Sequence, residues 1–282
     1  MAVVLALITS VLWGTGDFFG GLATRRDPVT RVMLWAHGVG LVAIAIAAPF
    51  LSDSFIFRDL VLGALAGLVG LAGLLLLYQG LSRGPMAVVA PLSALTAALV
   101  PVLWGLQSGN TLSPTTFFGL VVGLAAVVAI SWEGNLAAVS RTVTRRVIGE
   151  ATVAGTCFGS IVLLYDQASE GSSPWPIVSG RVVTTALLLG LALVQRKPLT
   201  PGPSLGFAVI AGLGDTFANM TLLIATSEAV GSSELSVVAV VSAFFPAATV
   251  LWARFTLHEP LGPVRLCGLA LGLAAVALMT LG

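Results

Sequence analysis

The sequence predicts an all-α integral membrane protein of ten transmembrane helices, arranged as two inverted five-helix repeats. Three observations predict it. Of 282 residues, 57% are hydrophobic and only 9% charged, where a soluble domain carries roughly 25% charge. The chain divides into apolar segments near the ~20 residues that cross hydrocarbon. Residues of the fourth and fifth segments recur in the ninth and tenth. This composition excludes an ordinary water-soluble globule, a disordered chain and a nucleic-acid binder; the bilayer is the solvent.

A hydropathy window of about nineteen residues places the first five spans at Ala2–Ala23, Val32–Leu51, Leu60–Leu81, Met86–Leu106 and Leu112–Trp132. The second five lie at Ile148–Tyr165, Pro176–Val194, Leu205–Ala225, Leu235–Trp252 and Val264–Leu281. Breaks carry turn residues or charge, as at Arg25–Pro28, Ser82–Pro85, Ser108–Asn110, Glu170–Pro174 and Arg196–Pro198. The longest connection, 134–147, divides the chain into units 1–133 and 148–282. The N-terminus lacks a basic region before its long apolar run, so it reads as a first span rather than a signal peptide.

Charge sets the expected orientation. Loops after odd-numbered spans hold eleven of the thirteen basic residues, among them Arg25, Arg26, Arg83, Arg145 and Arg196, while loops after even-numbered spans hold only Arg58. Basic residues stay cytoplasmic, which puts both termini outside. The opposite face carries Asp53, Asp59, Asp166, Glu170, Glu228 and Glu234, either solvated loop ends or an acidic outer mouth that concentrates cations. Trp35, Trp104, Trp132, Trp175 and Trp252 fall near span ends as an aromatic belt. Trp13 alone is mid-span. Cys157 and Cys267 read as small apolar residues, and nothing in the sequence resembles a metal-ligand cluster.

The internal repeat is explicit. VVAPLSALTAA at Val88–Ala98 aligns with VVAVVSAFFPA at Val237–Ala247, and GLVVGLAAVV at Gly119–Val128 aligns with GLALGLAAVA at Gly268–Ala277, at the same separation. A duplicated unit of five spans enters the membrane from opposite sides in its two copies. Inverted repeats of this kind build secondary transporters with a midplane site between the halves.

Trp13-Gly14 with Asp17-Phe18, GLSRGPMAVVAPLSAL at Gly80–Leu95, and LSVVAVVSAFFPAATVLWARFTLHEP at Leu235–Pro260 resemble the EamA branch of the drug/metabolite transporter superfamily across the whole chain. The resemblance implies a basket of ten helices, a cavity lined mainly by the third, fourth, eighth and ninth spans, and exchange or proton-coupled export of a small metabolite. The acidic residue that closes the second copy, Glu259, has Asn110 at the matching place in the first.

An ionisable group within hydrocarbon costs at least ~2.5 to 3.5 kcal/mol on insertion scales, so each needs a reason. Asp215 lies mid-span, with Asn219 one turn later on the same face. The pair reads as a proton or polar-group site, or as an assembly contact. Asp17 follows Trp13 by one turn, and a carboxylate beside an indole is a candidate cation or amine site. Its alternative is a helix contact. Arg181, less than two turns from a span end, reads as snorkelling to the interface; the sharper alternative is a counter-ion for Asp17, for Asp215 or for an anionic substrate. Tyr78 and Gln79 close the third span, and Ser93 and Ser242 occupy equivalent places in the fourth and ninth, where they would face one another across a cavity. Pro91 and Pro246 interrupt those same spans. His37 reads as an interfacial histidine.

The expected function is a multi-pass secondary transporter in the cytoplasmic membrane. It would move a small metabolite or amphipathic compound by alternating access, with protons as a candidate coupling ion. Neither cofactor nor nucleic acid is expected as a partner. The alternative class is a membrane-embedded enzyme on a lipid-linked substrate, but His258-Glu259 is an isolated dipeptide and neither a zinc motif nor a phosphate loop occurs.

Overall fold

The computed structural model describes residues 1–52, 54–83, 86–109, 112–132, 144–169, 171–196, 198–229, 231–258 and 262–281. Among them the chain forms eleven helices: α1 (Ala2–Thr24), α2 (Val29–Leu51), α3 (Phe57–Arg83), α4 (Met86–Gln107), α5 (Pro114–Ile130), α6 (Arg145–Asp166), α7 (Trp175–Val194), α8 (Leu205–Ser227), α9 (Gly231–Ser242), α10 (Phe245–Leu257) and α11 (Pro263–Leu281). Eight described segments are long and apolar enough to cross a bilayer, α9 and α10 together making one of them, and Leu92–Gln107 and Pro114–Ile130 are shorter apolar helices. Apolar side chains face outward, as expected where lipid is the solvent: Val42, Ile46 and Phe50 of α2 are 59%, 64% and 87% exposed.

The ninth apolar segment departs from the single span expected over Leu235–Trp252. It breaks after Ser242 and resumes at Phe245, because Pro246 has no N–H to donate to the Ser242 carbonyl. Pro91 behaves otherwise: α4 runs through it without interruption. The helix ends follow ordinary rules elsewhere. Ser113 Oγ accepts the Thr116 N–H at 3.0 Å, with Pro114 in the first turn of α5, and Thr144 caps α6 through the Val147 N–H at 3.3 Å. Asn110 and Glu259 lie outside the described residues.

Packing is dominated by contacts between the halves, and the largest of these have counterparts with the halves exchanged. α1 lies on α8 and α10, as α6 lies on α3 and α4; α2 packs on α8 as α7 packs on α3; α5 pairs with α11, and α4 with α9. The centre is α9, whose Val238, Val240 and Val241 are all fully buried. Its stretch 237–241 is apolar on every side, and such a stretch belongs in the interior.

The loops repeat the exchange at both ends of the bundle. At one end Asp27 accepts the Ser204 N–H at 3.0 Å and bonds the Ser204 hydroxyl, tying the α1–α2 turn to the start of α8. At the other, Asp59 at the start of α3 accepts the Ser169 N–H at 3.1 Å. Asp59 is fully buried, so it is a structural tie and not part of an acidic outer mouth. Trp35 and Trp175 reach loop carbonyls of the opposite half, Leu199 and Ser52, each at 3.2 Å.

Bonding to Ser204, helped by Arg31 at 2.7 Å, holds the Asp27 carboxyl below the usual carboxylate range. A depressed folded-state value means that this tie stabilises the protein above the unfolded value of about 3.9 and is lost as pH falls through the lower folded value. Asp27→Ala is therefore expected to lower the thermal midpoint at pH 7, and the gap from wild type should shrink below about pH 4. Differential scanning fluorimetry across pH checks both parts.

Candidate functional site

Polar groups in an apolar bundle must find one another, and here they do so across four helices. Trp13 and Asp17 lie on one face of α1. Asp215 and Asn219 hold the corresponding relation on α8, where Asn219 Nδ2 donates to the Asp215 carbonyl at 2.7 Å and to its Oδ1 at 3.2 Å. The Tyr165 hydroxyl, from the end of α6, donates to Asn219 Oδ1 at 3.1 Å. Arg181 of α7 completes the cluster by pairing with Asp215 Oδ2 through Nη2.

Arg181 does not snorkel. It is 5% exposed and has its second acceptor in His37 of α2, 3.1 Å from Nη1. A guanidinium only donates, so His37 Nδ1 is the acceptor and the ring proton sits on Nε2. Thr184 Oγ1 stands 2.9 Å from the same nitrogen and 3.0 Å from the Gly180 carbonyl, which holds the imidazole in place. Two acceptors for one buried guanidinium are what its removal from water requires.

These side chains surround a cavity of about 140 Å³ whose lining includes Trp13, Asp17, Arg181, Asp215, Asn219 and Ser242. A smaller cavity of about 70 Å³ lies toward the end where Asp27 meets Ser204, bordered by Gly20, Val32 and Ala211. Asp17, His37, Leu74, Arg181 and Asp215 border both. They form the partition between the two spaces. Asp17 is exposed to this interior space, and it feels the charge of Asp215. The rest of the larger cavity is mostly apolar, with Leu71, Phe158, Ile161 and Val162 among its walls.

Six of the nine residues expected at a site therefore share one cavity. Gln79 and Ser93 do not border it. Gln79 is exposed and accepts from Arg83 at 3.3 Å, while Ser93 is buried at the contact with α6, where its carbonyl meets Gly155. The serines of the two copies thus do not face one another. The side chain of Tyr78 lies outside the described residues. His37, Tyr165 and Phe158 border the cavity too, although position along the sequence places His37 at the interface and marks neither of the others. His37 stands eight residues into α2, about 12 Å along the helix, too deep for an interfacial group. Phe158-Gly159 in α6 echoes Trp13-Gly14 in α1, a signal that pointed to Phe158.

A model of the EamA-like transporter family matches residues 1–132 and 148–281. An uncharacterized protein of Methanocaldococcus jannaschii is 25% identical over 132 residues, which make up 46% of this chain and 96% of that protein. A protein of known crystal structure, 18% identical, superposes with a TM-score of 0.77 over 99% of this chain and 98% of its own.

Proposed function

The chain belongs to the EamA-like transporter family, and from that premise we propose that it is a secondary transporter of the cytoplasmic membrane. It carries a small molecule by alternating access between two inverted repeats. The observation that carries this reading is the partition: one group of side chains borders two cavities that extend toward opposite ends of the bundle. A carrier needs a site that opens to either side in turn, and a wall held by one ion pair and a few hydrogen bonds has few polar contacts to exchange for contacts with substrate. The reciprocal packing of the halves supports inversion, because each half then supplies the same moving surface to the other.

In this reading Asp17 and Asp215 are the groups that exchange protons or substrate during the cycle. The charged and titratable groups around them are Arg181, His37 and Tyr165. Counterflow in proteoliposomes tests the proposal. Compounds that raise the thermal midpoint of the purified protein are loaded inside and offered as radiolabel outside. Saturable exchange is expected; flux that never saturates, or chemical conversion of an added lipid, would count against a carrier. Asp17→Asn and Asp215→Asn are each expected to lose uptake driven by a pH gradient. If both variants keep the proton dependence of wild type, neither carboxylate is the coupling group.

A further inference from the structure

We propose that the cavity receives a small amphipathic amine in its ammonium form, with the charged nitrogen between the Asp17 carboxylate and the Trp13 ring. This names the substrate class of the transporter reading and rests on it for transport, although binding is testable alone.

The charge inventory comes first. The cavity wall holds two carboxylates, Asp17 and Asp215, and one guanidinium, Arg181. His37 accepts a hydrogen bond from that guanidinium and adds no charge. Asp215 is matched by Arg181. Among the described residues Asp17 has neither a hydrogen-bond nor an ion-pair partner; its one charged influence is the like charge of Asp215. When Asp17 is ionised the wall carries one negative charge in excess, at a group open to the cavity. An unpaired carboxylate in a poorly hydrated space is costly; a proton relieves that cost, and so does a monovalent cation that takes the proton's place.

Other ligand classes fit less well. An anion or the carboxylate of a zwitterion would need Arg181, whose two terminal nitrogens are engaged by Asp215 and His37. A bare inorganic cation needs several oxygen ligands, whereas most of the lining is apolar. An amphipathic body suits those walls. Trp13 lies one turn from Asp17 and offers an aromatic surface to a desolvated cation, its ring meeting Phe245 edge-on at 6.4 Å.

The test uses the purified full chain and four probes of one shape: phenethylammonium, 2-phenylethanol, 3-phenylpropanoate and phenylalanine. Thermal-shift and equilibrium-binding titrations should show saturable binding of phenethylammonium, at least roughly tenfold tighter than the neutral, anionic and zwitterionic probes. Asp17→Asn, which removes the charge and keeps the shape, should erase that preference, and Asp17→Glu should keep part of it. Equal binding of the four probes to wild type, preference for the anion or zwitterion, or undiminished ammonium binding by Asp17→Asn overturns the proposal. Where Asp17→Asn fails to fold, the wild-type charge series and Trp13→Leu decide it. Counterflow separates the two claims: an ammonium probe that binds but is not exchanged leaves the site standing and removes the carrier reading. Saturable exchange of the anion alone does the reverse.

Discussion

Arg181→Leu is expected to be among the most destabilising single changes in this protein and to abolish transport. The substitution leaves the carboxylates of Asp17 and Asp215 facing one another without a counter-charge, and it removes the donor to His37 Nδ1. Breaking a buried ion pair by deleting one partner costs about 3 to 5 kcal/mol. The lower end applies, because the Asp215 side chain is 41% exposed to the cavity although that of Arg181 is only 6% exposed. Replacing both partners by uncharged groups removes most of that penalty. The double variant Arg181→Leu with Asp215→Asn should therefore recover most of the lost thermal midpoint while remaining inactive in counterflow. Arg181→Lys keeps the charge but not the fork that reaches two acceptors, so intermediate stability is expected. A single Arg181→Leu variant as stable as wild type would mean that the guanidinium does not hold this partition together.

Much of this arrangement is written locally in the sequence. Length and apolarity mark spans, and a polar residue within a span must turn inward, which is why Trp13, Asp17, Arg181, Asp215 and Asn219 reach one cavity. The partner of a polar residue is another matter. Arg181 pairs with a residue of a different helix and bonds a histidine from the other half of the chain, and distance from a span end says nothing of either. Equivalence in the repeat also has a limit. Ser93 and Ser242 hold matching places, yet only Ser242 borders the cavity. The position matching Pro246 in the first copy is Ala97, so α4 continues where α9 stops, and Ala97 itself takes the place on the cavity wall. One proline separates two otherwise parallel helix faces.

The same repeat predicts paired penalties where helices touch through glycine. A Cβ on Gly14 of α1 would strike the Phe245 carbonyl and lie 2.6 Å from Ala248 Cβ and 3.0 Å from the Thr249 nitrogen, all on α10. A Cβ on Gly159 of α6 would lie 2.5 Å from the Ala97 carbonyl and 2.7 Å from Val100 Cβ on α4. Under the alignment of the two copies, Ala97 and Val100 match Pro246 and Thr249, so both glycines press on the same stretch of equivalent helices. Alanine in place of glycine normally gains up to about 1 kcal/mol in a helix, and that gain should appear at Gly21, where a Cβ meets nothing within 4 Å. At Gly14 and Gly159 the obstacles are backbone and Cβ atoms of a packed neighbour, which yield only if the helices separate. Overpacking of this kind costs about 1 to 3 kcal/mol, and it outweighs the helix gain. Thr249, which donates to the Gly14 carbonyl at 3.1 Å, would be pushed off its acceptor as well. Thermal unfolding in detergent should thus rank Gly21→Ala at or above wild type, with Gly14→Ala and Gly159→Ala below it by similar amounts. A loss at one glycine without a loss at the other would mean that the two halves do not bear load as copies of one unit.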